Sequence, residues 1–146
     1  MIKFMKMLNN ISRSQAIYRQ KNINAPDLHG SHYALVLAIC REPGRSQEEL
    51  ARELFINKST VARNLNHLEE KGYVSRLPLP NNKRQLSVYP TEKTLFVLPE
   101  IRRVSADWTR LLSDGIAEDE LNTFHSVLRR MQEKAKTVIE QGDDAK

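Results

Sequence analysis

The hydrophobic pattern of this chain changes period at Gly72, and that change restricts the fold more than any other feature. Before it, from Asn57, apolar residues recur at helical spacing as Val61, Leu65 and Leu68. After it come "YVSRLPL" and "RQLSVYP", short runs with β-branched and aromatic content separated by "PNNK". A glycine takes the left-handed conformation that ends a helix abruptly, so the chain turns at once into a two-stranded ribbon. Pro78 and Pro80 cannot donate to a ladder, which makes at least one strand an edge. Upstream, Ser46 and Glu49 have capping-box spacing, and Leu50, Ala51 and Leu54 give the helix they start an inward stripe. Two short helices in tight succession have helix-turn-helix spacing. With the ribbon and its polar, basic loop behind them, the order is that of a winged helix.

Helices flank this unit. Residues from Ile2 to Gln20 carry Phe4, Leu8, Ile11 and Tyr18 on one stripe, and "NINAPDLHGS" breaks the pattern. "HYALVLAICR" is apolar nearly all round and reads as a buried central helix, ended by the turn "EPG". Thr91 caps a helix through "EKTLFVLPEIRRVSADWTRLL", which Pro99 should kink or break. A last helix starts near Glu118, where three acids suit its N-terminal dipole. Its Leu121, Phe124, Leu128, Met131, Ala135 and Val138 form a heptad seam, which needs either the preceding helix or a second copy of the chain as partner. The pattern favours the homodimer. The expected architecture is mainly α with a small β-ribbon, in one domain over residues 1–146. A winged-helix lobe occupies 28–92, and 1–24 with 95–141 form a helical dimerisation region.

At 146 residues the chain is long enough for one core without disulfides. Its single cysteine, Cys40, excludes an internal disulfide and a multi-cysteine metal site. No apolar run is long enough to cross a membrane, and no export signal is legible, so a cytoplasmic protein is expected. The net charge of +5 is unevenly distributed. Residues 1–24 hold five Lys/Arg and no acid, 41–93 hold ten against seven acids, and 94–146 hold eight against ten. The basic excess thus lies in the first two thirds of the chain, which contain the winged helix, and suggests a polyanionic partner.

An enzyme is not expected. Glycine-rich phosphate loops, a zinc-binding histidine pair and a nucleophile placed after a strand are all missing from the sequence pattern. Glu48 and Glu49 are adjacent and project about 100° apart on a helix, so they form no carboxylate pair. No cofactor and no metal are expected.

The second helix of the pair has hydrogen-bonding groups and a cation on its free side: Ser59, Thr60, Arg63, Asn64 and His67. A major groove about 12 Å wide admits one helix, and these side chains are of the kinds that bond phosphates and base edges. Lys58 lies at its start, Ser46 and Gln47 at the start of the helix before it, and Asn82, Lys83 and Arg84 in the wing, within reach of a minor groove. The alternative use of this face, docking a protein, would call for an apolar patch there.

In "SQEELARELFINKSTVARNLNHLEEKGYVSRL" and "NNKRQLSVYPTEK" the chain resembles MarR-family regulators, the multiple-antibiotic-resistance type of winged-helix repressor. The resemblance covers about residues 28–92. It implies a homodimer with interlocked terminal helices that grips a pseudo-palindromic DNA operator and releases it on binding a small anionic or phenolic ligand or, in one branch, on cysteine oxidation. A DNA binder that senses nothing is the other outcome. Ser59, Thr60, Arg63 and Gly72 match the family's motif directly. The family's wing reads Asp-x-Arg, and here Asn82 stands where the aspartate belongs, with Arg84 kept. Asn82 can still bond the wing backbone but lacks the charge that steers the arginine. His29, His32 and Tyr33 either line an effector pocket or serve as helix-start and core residues. Cys40 is either a redox sensor or, as its apolar surroundings favour, core.

Overall fold

The structure is a computed structural model that describes residues 3–144. In chain order it contains α1 (Phe4–Asn22), α2 (His32–Arg41), α3 (Gln47–Leu54), α4 (Lys58–Glu70), β1 (Val74–Leu79), β2 (Asn82–Pro90), α5 (Glu92–Ser113) and α6 (Glu118–Asp144). Ile2, expected to open the first helix, lies outside the described residues. The chain divides into two compact units, one running to Trp108 and the other starting at Thr109.

In the first unit the core is a mainly aliphatic cluster. α2 contributes Leu35, Val36 and Ile39, α3 Leu50, α4 Val61, Leu65 and Leu68, β2 Val88, and α5 Ile101 and Val104. The nearly all-round apolar pattern of α2 is explained by its position, since α3 and β2 both pack on it. Ser46 caps α3, its Oγ accepting the Glu49 N–H at 3.1 Å. Asn57 caps α4 in the same manner, its Oδ1 accepting the Ser59 N–H at 2.9 Å.

α4 ends in a Schellman arrangement. Gly72 has φ +83°, its N–H donates to Glu69 O at 3.0 Å, and the Tyr73 N–H donates to Leu68 O at 2.7 Å. β1 and β2 then pair antiparallel from Val74↔Pro90 to Leu79↔Asn82, with an irregularity between Pro78 and Leu79. The loop is tighter than the expected "PNNK": only Pro80 and Asn81 lie between the strands, and Asn82 and Lys83 already belong to β2. The register shift at Leu79 makes the short loop possible. On its other edge β2 is joined by the segment before α3, where the Gly44 N–H donates to Val88 O at 2.8 Å and the Val88 N–H to Arg45 O at 2.9 Å. A side chain at Gly44 (φ +93°) would also meet the Tyr89 ring, 3.2 Å from an added Cβ.

Two expectations about α5 need correction. The helix is continuous through Pro99 and does not break there, so its only obligatory loss is the proline N–H. Thr91 precedes α5, but its hydroxyl does not cap that helix; it donates to Gly72 O at 2.6 Å and Tyr73 O at 3.1 Å, tying α5 to the end of α4. Thr94, one turn on, also donates to Tyr73 O.

In the second unit α6 carries its heptad seam exposed: Phe124 is 55% and Val138 66% accessible. The stripe of α1 is similarly open at Phe4 and Ile11, while Tyr18 packs on the Trp108 ring at 5.1 Å. Among the described residues no helix is long and apolar enough to cross a membrane.

Gly72→Ala tests the helix stop in isolation, because an added Cβ would meet only the Lys93 Cδ at 3.8 Å. The cost is then conformational, about 1–2 kcal/mol, and should lower the urea midpoint without changing the slope of the transition.

Candidate nucleic-acid interface

The free face of α4 is narrower than the sequence pattern implies. At about 100° per residue, Ser59 and Arg63 lie some 40° apart on the side opposite Val61, Leu65 and Leu68, and Asn66 shares that side. Ser59, Arg63 and Asn66 are exposed, and Thr60 is partly covered on the flank. Arg63 donates to Thr60 Oγ1 at 3.2 Å, which holds the guanidinium along the helix.

Asn64 and His67 do not share this face. Asn64 Nδ2 donates to Ser31 Oγ at 2.6 Å, and His67 Nε2 lies 2.8 Å from Asp27 O. Both turn toward the start of α2, because they sit about 100° or less from the buried stripe and polar partners wait there. Ser46 is also removed from the surface: it is buried, its Oγ holds the α3 cap, and it bridges to Ser87. Gln47 is partly covered, with Oε1 accepting from Arg76.

The wing resolves the question raised by Asn82. Its Oδ1 accepts the Arg84 N–H at 3.1 Å, so the amide closes the local turn that an aspartate would close, without the charge. Lys83 and Arg84 are exposed. A recess of about 200 Å³ separates the wing from the helices, lined by Ser46, Gln47, Glu48, Lys58, Arg84, Gln85 and Leu86. It brings together Ser46, Gln47, Lys58 and Arg84, which the sequence leaves 38 residues apart at the extremes.

Pairing sorts the cations of this lobe. Arg41 and Arg45 are both held by Glu53, and Arg45 also donates to Ala38 O at 2.6 Å. Lys58 lies 3.8 Å from Glu48 and Lys71 3.9 Å from Asp27. Lys93 donates to Lys71 O at 2.7 Å over the Tyr73 ring. Among the described residues no ion pair is found for Arg63, Lys83 or Arg84, nor for Arg52 of α3 or Lys93 of α5, so exposed cations of α4 and the wing are among those left for a polyanion.

Arg76 is the functional residue that sequence reasoning passed over. It is 14% accessible and fans out from β1: Nη1 to Gln47 Oε1 at 2.9 Å, Nη2 to Asn66 Oδ1 at 2.6 Å, and Nε and Nη2 to the Glu69 carboxylate at 3.2 and 3.1 Å. One guanidinium thus joins the ribbon, the start of α3 and the outer side of α4. The signal was present: strand alternation puts Arg76 on the inward side with Val74, where a charge needs a partner.

The remaining singled-out residues lie elsewhere. Tyr33 is buried, its hydroxyl donates to Leu28 O at 3.2 Å, and the Arg19 guanidinium sits over its ring at 5.4 Å. His32 is buried and His29 exposed, and both lie beside His67. Cys40 packs against the core, and burial pushes its thiol pKa up, which suppresses the reactive thiolate.

Hydrogen bonds from Arg76 hold the Glu69 carboxyl below its ordinary 4.5. Glu69 is largely exposed and solvent screens the pair, so Arg76→Met should cost about 0.2–1 kcal/mol through it at neutral pH. A depressed carboxylate stabilises the fold above its unfolded value and loses that effect as pH falls through the folded one. The stability difference between wild type and Arg76→Met, measured by urea unfolding, should accordingly shrink as pH drops below 4.5.

The geometry has counterparts in known proteins. The model of the MarR family matches residues 27–85. An uncharacterized HTH-type transcriptional regulator of Bacillus subtilis, YybA, is 32% identical over 106 residues, 73% of this chain and 71% of its own. Among solved structures, MarR aligns at 34% identity with a TM-score of 0.79, over 92% of this chain and 98% of its own. A MarR transcriptional regulator from Methanosarcina mazei aligns at 27% identity with a TM-score of 0.84, over 92% and 97%. The chain belongs to the MarR family of DNA-binding winged-helix transcriptional regulators.

Proposed function

We propose that two copies of the chain act together as a cytoplasmic repressor on a pseudo-palindromic operator. Each α4 enters a major groove by Ser59, Thr60 and Arg63, and each wing brings Lys83 and Arg84 to the neighbouring minor groove. The observation that carries this reading is placement: Arg63, Lys83 and Arg84 are exposed and without ion pairs on the free side of α4 and on the wing, while Arg41, Arg45 and Arg76 are held by carboxylates. Lys58, beside the recess, adds phosphate contacts. The exposed seam of α6 supports the dimer, since Phe124, Met131 and Val138 are apolar and accessible. A small anionic or phenolic effector completes the proposal, releasing DNA by favouring a dimer whose two α4 helices are wrongly spaced.

A protein-docking role for the same face is disfavoured, because Ser59, Arg63 and Asn66 offer no apolar patch.

Arg63→Ala should cost about 1–3 kcal/mol at the base pair it reads and relax the preference there. Lys83→Ala should weaken all sequences alike and lower the slope of log affinity against log salt by about one. Fluorescence anisotropy with the gene's upstream region and with selected random sequences measures both. Salt-insensitive binding, or none to any sequence, would sink the proposal.

A further inference from the structure

We propose that His29, His32 and His67 form a zinc site that joins the loop before α2, the first residue of α2 and the recognition helix α4. One ring nitrogen from each lies within 4.8 Å of the others. Centroids are 4.4 Å apart for His29 and His32, 4.6 Å for His32 and His67, and 5.8 Å for His29 and His67. Three imidazoles suit zinc, and other divalent ions of the same preference, with a fourth position left for water.

The hydrogen bonds prepare two of the rings. His67 directs Nε2 at the Asp27 carbonyl oxygen, 2.8 Å away, so this nitrogen carries the proton and Nδ1 keeps a free lone pair. That is the outer contact which orients a ligating histidine. In His32, Nδ1 accepts the His29 N–H at 3.1 Å, which puts the proton on Nε2. Asn64 donates its Nδ2 to Ser31 Oγ at 2.6 Å. His32 therefore offers Nδ1 to the metal once the His29 N–H gives way. His29 is exposed on its loop and free to swing.

Closure is modest. Bonds of 2.0–2.1 Å in a tetrahedron set the nitrogens roughly 3.3 Å apart, so the rings must draw in by about 1.5 Å at most. The near-parallel His32 and His67 rings, 8° apart, must tilt so that their lone pairs converge. Short sequence motifs could not disclose the site, because its members come from three segments and no two share a zinc-binding helical spacing.

The test uses the full chain, free of any histidine tag and stripped with EDTA, titrated with zinc by calorimetry and with cobalt(II) by absorption. One ion per chain, micromolar or tighter, with the visible bands of tetrahedral cobalt, is expected. His29→Ala, at an exposed position, and His67→Gln, which can still donate to Asp27 O, should each weaken zinc binding at least about tenfold with metal-free melting unchanged. His125→Ala, on the exposed face of α6, should bind as wild type. Absence of binding, or binding that survives both His29→Ala and His67→Gln, overturns the site.

Discussion

The carbonyl oxygen of Tyr73 is the point on which the rest of the lobe depends. It accepts the Thr91 N–H at 3.1 Å and both the Thr91 and Thr94 hydroxyls, one residue after Gly72 has ended α4. The end of the recognition helix, the first strand of the wing and the start of α5 therefore meet within a few residues. Thr94 is fully buried, so its hydroxyl needs this acceptor, and the Tyr73 carbonyl needs donors because its chain has left the helix. The Lys93 ammonium closes the outside of the same junction by donating to Lys71 O. If the junction loosened, α4 and the wing would lose their fixed angle, and with it the spacing between Arg63 and Arg84.

Arg76 does from the ribbon what Tyr73 does from the backbone. Its pair with the exposed Glu69 is weak evidence for stability, since solvent screens the attraction. Its value here is geometric: a planar fork with partners on α3 and α4 admits one relative placement of three elements. Asn66 is thereby committed on the outer side of α4, which concentrates the reading surface on Ser59 and Arg63. The charge of the lobe follows the same logic. Its net excess is small, but carboxylates hold Arg41, Arg45 and Arg76 in the scaffold and leave Arg63, Lys83 and Arg84 without ion pairs.

Much of this was legible in the sequence because short-range rules govern it. The Ser46 cap, the stop at Gly72 and the change from helical to strand period all depend on neighbours a few residues away, and all stand where they were read. Asn82 belongs with them, since its bond to the Arg84 N–H spans two residues. What was misread depends on distant partners. Asn64 and His67 looked free because the sequence does not show that Ser31 and Asp27 lie beside them, 33 and 40 residues away. Thr91 had the position of a cap, yet its hydroxyl found the Gly72 and Tyr73 carbonyls instead. Pro99 was expected to kink or break α5; the helix does not break there, with Leu98 and Ile101 buried on either side.

The misreading of α4 carries a mechanical consequence. A helix of 13 residues has three usable sides, and here each meets a different environment. Val61, Leu65 and Leu68 seat it in the core, Ser59 and Arg63 face outward, and Asn64 with His67 lean on the start of α2. A force applied on the third side turns the helix about its own axis, with the core side as pivot. Four residues separate His67 from Arg63, about 6 Å along the axis, so a displacement at the histidines reaches the reading side chains through little more than one turn of rigid helix. The flank carrying Asn64 and His67 is thus tied to the start of α2 rather than left open.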